Sequence, residues 1–327
     1  MAGGATAAAR IRRLDEHAEI VVFERSGYIS YANCGLPYYI GGIIEDPEEL
    51  TLQTPESFDS RFQVQMKVHH EVTAIHPDRK TVSVKSLETG EAFEESYDKL
   101  LLSPGAKPVW PNLPGMDSDK LFTLRTVEDT FRVKEFINEN SPKSAVMVGG
   151  GFIGLETAEN LRELGMEVTI LQRPKQLMNP FDADMASFIH SEVRKHGVKL
   201  ALGYSVEGFR EKEVGLDVLL KDHEPLHADM VIFAISVSPE SALAKDAGLE
   251  LGMKGSILVN DRMETSIPNI YAVGDAVQVK HYVTGEDALI ALAGPANKQG
   301  RIAADNICGV DSRYLGAQGS SASRSLI

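Results

Sequence analysis

Cysteines and long apolar runs are both scarce in this sequence. Its 327 residues include two cysteines, Cys34 and Cys308, which excludes a disulfide-stabilised scaffold and favours a reducing, cytoplasmic compartment. No apolar run approaches the roughly 18 residues of a membrane-spanning helix, and the N-terminus lacks the charged start and apolar core of a signal peptide. We therefore expect no membrane partner. No metal site is predicted.

Basic residues are outnumbered, because 33 lysines and arginines stand against 47 aspartates and glutamates, for a net charge of −14. An acidic surface repels phosphate backbones, so nucleic acid is not an expected partner. The hydrophobic fraction of 43% and the charged fraction of 24% are those of an ordinary globular protein. At roughly 150 residues per domain, the length predicts about two domains.

A glycine-rich turn lies in the clearest strand–helix–strand pattern of the chain. The sequence predicts an apolar strand over 144–148, the turn Gly-Gly-Gly-Phe-Ile-Gly, a helix over 155–164 and a second strand over 168–171. Gly149 suits the tight turn, Gly151 lets the backbone approach a pyrophosphate, and Gly154 lets helix and strand pack closely. Because the start of a helix offers free N–H groups to phosphate, this turn predicts a dinucleotide site.

The end of the second strand bears on which nucleotide binds. An acidic residue there usually binds the ribose hydroxyls of NAD, whereas this sequence has Gln172, followed by Arg173 and Lys175. A basic pair suits a 2′-phosphate and favours NADPH over NADH. A solvated charged turn is the other interpretation.

The N-terminal region predicts a second nucleotide-binding unit. A helix over residues 3–17 precedes a short buried strand over 19–24, which is the pattern of a strand–helix–strand unit without its first strand. Further strands are predicted over 80–86, 97–103, 229–235 and 270–275, a helix over 288–307, and a disordered Gly/Ser-rich tail over 316–327.

Cys34 stands in an unusual context. It follows Asn33 and lies just ahead of Pro37, a residue that suits the first turn of a helix. A helix N-terminus favours the thiolate form of a cysteine, and Ser30 and Asn33 can offer hydrogen bonds. On spacing alone, an inert buried cysteine is an equally good interpretation. Cys308 has no activating neighbour and is predicted to be a packing residue.

Together these residues resemble the flavin-dependent pyridine nucleotide–disulfide oxidoreductases. The pattern Ser30-x-x-Asn33-Cys34 is typical of the single-cysteine group, which includes coenzyme A disulfide reductases and related persulfide reductases. The segment IPNIYAVGD, ending at Asp275, is typical of FAD-binding members. Residues 284–286 and 292–301 are similar to the same group, and the resemblance extends over almost the whole chain.

The resemblance implies residues for two cofactors and a substrate. FAD is expected to be held by Gly4, Glu24, Arg25, Val72, Ser103, Pro104, Gly105, Arg125, Gly274 and Asp275. NADPH or NADH is expected to be held by Gly149, Gly151, Ile153, Gly154, Glu156, Gln172, Arg173 and Lys175. The coenzyme A part of a substrate is expected to be held by Thr6, Arg10, Arg13, Ser30, Asn33 and Lys67. The basic residues of the first helix, taken alone, also fit a solvated helix face.

The resemblance also implies the fold, an α/β architecture of two Rossmann-like nucleotide-binding domains, each with three ββα layers. The FAD-binding domain is expected over 1–118 and 246–327, with the NAD(P)H-binding domain inserted over 119–245. The first strand of the FAD-binding domain is expected to be missing. So is the C-terminal dimerisation domain of the full-length, homodimeric members.

The activity implied is reduction of a disulfide by NAD(P)H. Electrons pass from the nicotinamide through FAD to a mixed disulfide on Cys34, and the released thiolate attacks the next disulfide or persulfide. Two alternatives stay open. One is an NADH peroxidase or oxidase, although Ala2 stands where that branch carries a histidine in its first glycine loop. The other is a nucleotide-binding fragment without activity.

Overall fold

The computed structural model describes residues 2–320. Its α-helices are α1 (Ala2–Leu14), α2 (Leu36–Gly41), α3 (Pro55–Phe62), α4 (Val127–Asn140), α5 (Phe152–Glu163), α6 (Ala183–Lys195), α7 (Ala242–Asp246) and α8 (Ala293–Ile307). Its first strands are β1 (Val21–Phe23), β2 (Ser30–Tyr31), β3 (Thr51–Gln53), β4 (Gln65–Lys67), β5 (His70–His76), β6 (Thr81–Ser86), β7 (Ala92–Ser96), β8 (Leu100–Leu102), β9 (Ala106–Pro108) and β10 (Leu121–Thr123). Further along lie β11 (Ser144–Val148), β12 (Glu167–Gln172), β13 (Lys199–Leu202), β14 (Val206–Glu211), β15 (Leu216–Leu220), β16 (His223–Ala228), β17 (Met230–Phe233), β18 (Val237–Pro239), β19 (Ile257–Leu258), β20 (Ile270–Ala272), β21 (Val277–Lys280) and β22 (Asp287–Ala288).

These elements form two compact units. Within residues 2–320, the first unit comprises residues 2–31, 51–107 and 238–320, and the second comprises residues 32–50 and 108–237. The segment that carries Cys34 thus belongs to the second unit.

The second unit has three layers. Its middle layer is a parallel sheet in the order β10-β17-β11-β12-β13, whose central strands are apolar and buried. The antiparallel sheet β14-β15-β16 covers one face, where Val218 and Phe209 pack against Val146 and Val231. Helices α4, α5 and α6 supply the third layer. This is the predicted ββα arrangement, and near-continuous apolar strands are what a sheet covered on both faces requires.

The first unit contains two parallel strand pairs, β1-β4 and β20-β8, and an antiparallel sheet, β5-β6-β7. It also contains a mixed sheet, in which β21 pairs with β22 in antiparallel and with β19 in parallel. Helix α1 packs closely on α8, because small residues meet there: a Cβ on Gly300 would lie 3.2 Å from the carbonyl carbon of Gly3. The main core is formed around Ile257, Ile270 and Val277.

Several element boundaries differ from the prediction. Helix α1 ends at Leu14 rather than at residue 17, because the Arg12 guanidinium binds the carbonyl oxygens of Asp15 and Glu16 beyond it. Helix α8 begins at Ala293, since residues 287–288 pair with β21 instead.

The predicted disorder from residue 316 onward is wrong at its start. Ala317 donates a backbone hydrogen bond to Lys280 and accepts one from Tyr282. Residues 321–327 lie outside the described part of the chain.

Candidate functional site

The glycine turn of the second unit joins β11 to α5. Gly149 has a φ of +117°, and a Cβ there would lie 2.6 Å from the carbonyl carbon of Ala234. A Cβ on Gly154 would overlap the carbonyl oxygen of Gly149. Gly151, the N-cap of α5, has open space around its Cα and no side-chain cap. Gly149 and Gly154 are therefore required for packing, whereas Gly151 leaves room for a phosphate at the helix N-terminus.

The predicted nucleotide-selecting residues lie beside this turn. Gln172 ends β12, and its Oε1 accepts a hydrogen bond from the Gly150 N–H at 2.9 Å. Arg173 and Lys175 are exposed, and neither side chain has an ion-pair or hydrogen-bond partner within residues 2–320. This arrangement presents a neutral amide and two available cations next to the glycine turn, which suits a 2′-phosphate.

Two further predicted residues, Ile153 and Glu156, lie in the first turns of α5. The Ile153 side chain is 39% exposed although it is apolar, and so is the neighbouring Phe152 at 37%. An exposed apolar pair at the start of the helix that follows the glycine turn is a surface suited to a flat ring.

Cys34 lies in a 3₁₀ turn, Asn33–Gly35, at the start of α2, and it is exposed. The turn is held by Ala32, whose N–H donates to the Leu50 oxygen at 2.8 Å and whose oxygen accepts from the Gly35 N–H at 2.8 Å. Pro37 occupies the first turn of α2, as predicted. The inert buried cysteine considered from spacing is therefore not what the structure contains.

Helix α2 is anchored within the second unit. Its buried residues include Leu36 and Ile40, and it packs against α4 and α5. The approach to α5 is close, since a Cβ on Gly41 would overlap the Asn160 side chain. Lys134 donates to the Ile40 oxygen at 2.8 Å and so caps the helix end. The exposed thiol and the glycine turn are thus carried by two helices in direct contact.

The first unit gathers three of the predicted FAD residues. Gly4, in the first turn of α1, donates its N–H to Ser103 Oγ at 3.1 Å. Ser103 follows β8, and Gly274 follows the adjacent strand β20 with a φ of +86°. The Gly274 N–H donates to Gln299 of α8 at 2.7 Å. These residues form a tight cradle in which side chains are excluded, because a Cβ on Gly3 would lie 2.7 Å from Val273. A cradle of this kind fits a dinucleotide phosphate. Asp275 lies in the short 3₁₀ turn that starts at Gly274, and Pro104 and Gly105 follow Ser103.

Glu24 and Arg25 follow β1. Glu24 accepts from the Ser26 N–H at 2.9 Å, and Arg25 lies 3.7 Å from Glu240. Val72 lies on β5, opposite Val84.

Arg125 belongs to the second unit. Its N–H donates to Asp129, which caps α4 together with Thr126. Burial, the largest influence, raises the pKa of Asp129 above its ordinary value against the lowering effect of these hydrogen bonds.

The residues predicted to hold coenzyme A lie on several different elements of the fold. Thr6, Arg10 and Arg13 share one face of α1. Thr6 donates to Asn297 at 2.8 Å, Arg10 pairs with Asp305 at 2.8 Å, and Arg13 lies over the Phe62 ring at 5.5 Å. Lys67 lies over the Phe23 and Phe93 rings, and its Nζ is 3.8 Å from a carboxylate oxygen of Glu95. Ser30 lies on β2, and Asn33 lies in the turn that contains Cys34.

Two cations beside this face were not predicted. Lys298 and Arg301 lie on α8, next to Arg10 around a cavity. The sequence shows that Lys298 and Arg301 are three residues apart. No residue near them in the sequence, however, indicates that α1 packs beside α8.

Within residues 2–320, no group of three or more histidine, cysteine, aspartate or glutamate side chains is placed to hold a metal ion. None of the helices in the same range has the length and apolar character required to cross a membrane.

Known proteins similar to this chain point to one family. The family model "Pyridine nucleotide-disulphide oxidoreductase" matches residues 2–300. A coenzyme A disulfide reductase of Staphylococcus aureus (strain JH9) is 40% identical over 311 residues, which is 95% of this chain and 69% of that protein.

Two solved structures extend the likeness. The crystal structure of reduced Bacillus anthracis CoADR-RHD superposes with a TM-score of 0.96 at 48% identity, covering 99% of this chain and 58% of that one. The water-forming NADH oxidase of Lactobacillus brevis, bound to NADH, superposes with a TM-score of 0.93 at 34% identity, covering 99% of this chain and 71% of that one. This chain therefore spans less than two thirds of the B. anthracis protein.

The predicted α/β fold class is confirmed, and the predicted cofactors, FAD with NADPH or NADH, are those of the family. The chain belongs to the pyridine nucleotide-disulphide oxidoreductase family, whose members are oxidoreductase enzymes.

Proposed function

We propose that this chain acts as an FAD-dependent NAD(P)H:disulfide oxidoreductase on coenzyme A disulfide or a coenzyme A persulfide, with Cys34 as the redox nucleophile. The observation that carries the proposal is the placement of an exposed thiol at the start of α2, a helix that packs on the glycine-turn helix α5. The name of the S. aureus relative supports the substrate class.

The second cysteine has the opposite character. Burial raises the pKa of the Cys308 thiol, and the carboxylates of Asp15 and Asp305 raise it further. Since the thiolate is the attacking form, Cys308 stays inert while Cys34 is accessible. This contrast supports one redox-active cysteine rather than a pair.

The chemistry requires the thiolate of Cys34 to attack one sulfur of the substrate disulfide. A bond forms between Cys34 Sγ and that sulfur, the substrate S–S bond breaks, and one thiolate leaves and takes up a proton. Two electrons and a proton then convert the mixed disulfide into a second free thiol and the Cys34 thiolate. FAD, when bound, supplies those electrons from NAD(P)H.

The chain's own residues would hold the two cofactors. Gly4, Ser103 and Gly274 line the cradle of the first unit, with Glu24 and Arg25 following β1. In the second unit, Gly151 and the cations Arg173 and Lys175 would hold the nicotinamide nucleotide. The adjacent backbone N–H groups and cations provide the charge that phosphates need.

The test begins with the absorption spectrum of the chain after incubation with FAD and removal of unbound FAD by gel filtration, before and after anaerobic addition of NADPH. We expect a flavin band that bleaches, followed by NADPH oxidation that depends on coenzyme A disulfide. Cys34→Ser should keep the flavin band and lose disulfide turnover, while Cys308→Ser, the matched control, should keep both. A Cys34→Ser variant with full turnover would overturn the mechanism.

A second candidate, an NADH oxidase or peroxidase, is favoured by the likeness to the L. brevis enzyme. NADH oxidation that depends on oxygen or peroxide and not on coenzyme A disulfide would select it. A chain that retains no flavin band after incubation with FAD and gel filtration would select the inactive nucleotide-binding fragment. A cytoplasmic location and a homodimer belong to the proposal as well, and sedimentation of the purified chain tests the latter.

A further inference from the structure

The loop between β12 and α6 lies directly against the glycine turn. It carries the cations Arg173 and Lys175, and it contains Leu177, which is fully buried although it belongs to neither a helix nor a strand. A Cβ on Gly150 would overlap the Leu177 side chain, so this side chain packs on the middle of the turn. A displacement of Leu177 would therefore disturb the glycine turn itself.

Hydrogen bonds fasten both ends of this loop to the turn. The Met178 N–H donates to the Gly150 oxygen at 2.8 Å, and the Gly150 N–H donates to Gln172 Oε1 at 2.9 Å. Both backbone polar groups of Gly150 are thus held by residues that flank the loop. Because a site that is already in its binding geometry costs less to order, the fixing of this turn contributes to the affinity for a nucleotide.

A side chain outside the loop holds Leu177 in place. His190, in the middle of α6, is half-buried, and its Nε2 accepts a hydrogen bond from the Leu177 N–H at 3.0 Å. Only a neutral imidazole has a lone pair for this bond, because both ring nitrogens of the charged form are donors. Protonation of His190 would therefore break the bond and set two donors against each other.

The surroundings of His190 favour its neutral form. Burial, and then the charge of Arg194 one turn along α6, lower the pKa of His190 below its ordinary value. Two glutamates near this part of the fold are paired with lysines, Glu192 with Lys195 at 3.2 Å and Glu167 with Lys199 at 2.7 Å. The charged residues on α6, on the loop opposite and on β13, which packs on α6, are Asp184, Glu192, Arg194, Lys195, Arg173, Lys175 and Lys199.

We propose that His190 is a positioning residue for the nicotinamide nucleotide, because its neutral imidazole holds Leu177 against the glycine turn, and that its protonation weakens nucleotide binding. The proposal rests on the proposed function in one respect, the use of the glycine turn as the NAD(P)H site. The sign of the effect separates two physical causes. A new positive charge acting by attraction alone strengthens the binding of a phosphate, whereas loss of the Leu177 hydrogen bond weakens it.

The test is a calorimetric titration of NADP⁺ into the FAD-saturated original chain and into His190→Gln, at about pH 8 and about pH 5. The glutamine amide accepts the same hydrogen bond and does not titrate. We expect similar Kd values at the higher pH, whereas at the lower pH the Kd of the original chain should exceed that of the variant at least about threefold. The 2′-phosphate of the ligand titrates equally in both titrations, so the ratio of the two Kd values reports on His190 alone.

Two further variants sharpen the test. His190→Leu removes the acceptor and should raise the NADP⁺ Kd about fivefold at the higher pH, the loss expected for one hydrogen bond, while His190→Gln restores the binding. The matched control is His196→Gln, which replaces the half-buried histidine at the end of α6 and should leave the pH dependence of the original chain unchanged. Circular dichroism at each pH verifies that every variant is folded, and the glutamine comparison stands even where His190→Leu does not fold.

Three results would overturn the proposal. They are equal Kd values for the original chain and His190→Gln at the lower pH, tighter binding by the original chain there, and an absence of NADP⁺ binding at either pH. Because binding is measured without turnover, a chain that shows the expected NADP⁺ binding but does not reduce coenzyme A disulfide would contradict only the proposed function.

Discussion

The side-chain oxygen of Gln172 accepts a hydrogen bond from the backbone N–H of Gly150 at 2.9 Å. The residue at the end of β12 is therefore fixed to the glycine turn itself. The Gln172 amide also donates to the Gln176 oxygen at 3.4 Å, which ties the following loop to the same point. A neutral group at this position leaves Arg173 and Lys175 as the charges that a nucleotide meets.

Replacing Gln172 with glutamate should shift nucleotide binding from NADPH toward NADH. A carboxylate keeps the acceptor for Gly150 but repels a 2′-phosphate, so the ratio of the NADPH Kd to the NADH Kd should rise at least about tenfold. Nucleotide binding measured by fluorescence or calorimetry gives the ratio. Asn140→Asp, which adds the same charge on α4 of the same unit, should leave it unchanged. A Kd ratio that is the same in the Gln172→Glu variant as in the original chain would contradict this assignment.

The glycines of the turn should respond differently to alanine. Gly154→Ala forces a Cβ onto the Gly149 oxygen, so we expect it to lower the free energy of unfolding by about 2 kcal/mol or more. Gly151→Ala meets open space and an extended backbone, so its stability loss should stay within about 1 kcal/mol, the usual range for an N-cap. It should nevertheless raise the NADPH Kd, because the methyl group occupies the phosphate position. Thermal unfolding of both variants measures the effect on packing, and nucleotide titration measures the effect on binding. If Gly154→Ala and Gly151→Ala changed the stability equally and the NADPH Kd equally, the two glycines would not have the different roles assigned here.

Local pattern was enough to predict this turn, since the glycine spacing lies directly between a strand and a helix, although the contact that requires glycine at Gly149 comes from the distant Ala234. The same holds for the turn at Cys34 and Pro37. Arg12 shows where local pattern fails. On sequence it belongs to a basic helix face, yet it binds the oxygens of Phe62 and Gln63, about fifty residues away. The cavity cations depend in the same way on the pairing of α1 with α8, which no short window reveals.

Arg12 leads to a prediction about stability. Its guanidinium donates five hydrogen bonds to backbone oxygens, those of Asp15, Glu16, Ala18, Phe62 and Gln63. Arg12→Ala should therefore reduce the free energy of unfolding by about 2 kcal/mol, since several donors are lost at once. Arg13→Ala, on the same helix, removes a single exposed contact with the Phe62 ring and should cost less than about 1 kcal/mol. Chemical denaturation of both variants checks the difference, and a larger loss for Arg13 would contradict it.

His190 should make the loop after β12 sensitive to pH. Its Nε2 accepts from the Leu177 N–H at 3.0 Å, which only the neutral imidazole can do. Burial, and then the charge of Arg194, lower the pKa of His190 below its ordinary value of 6.5. Because the folded state disfavours the proton, this contribution to stability is complete above pH 6.5 and is lost as the pH falls through the lower, folded-state pKa.

The measurement is the melting temperature of the original chain and of His190→Gln, whose amide accepts the same hydrogen bond without titrating. The difference between the two should change as the pH is lowered from about 8 to about 5, with the original chain losing more. Parallel curves over that range would show that His190 does not control the loop.

The two cysteines should differ in reactivity even without cofactors. Cys34 is exposed, whereas Cys308 is half-buried and its pKa is raised by burial and by Asp15 and Asp305. With limiting iodoacetamide near neutral pH, Cys34 should be alkylated at least about fivefold faster, because rate follows exposure and thiolate fraction. Peptide mass spectrometry assigns the modified residue over time. Cys34→Ser should remove the fast phase and Cys308→Ser should retain it. Equal rates at the two thiols would mean that the turn before α2 gives Cys34 no advantage, and the choice of nucleophile would then lose its physical basis.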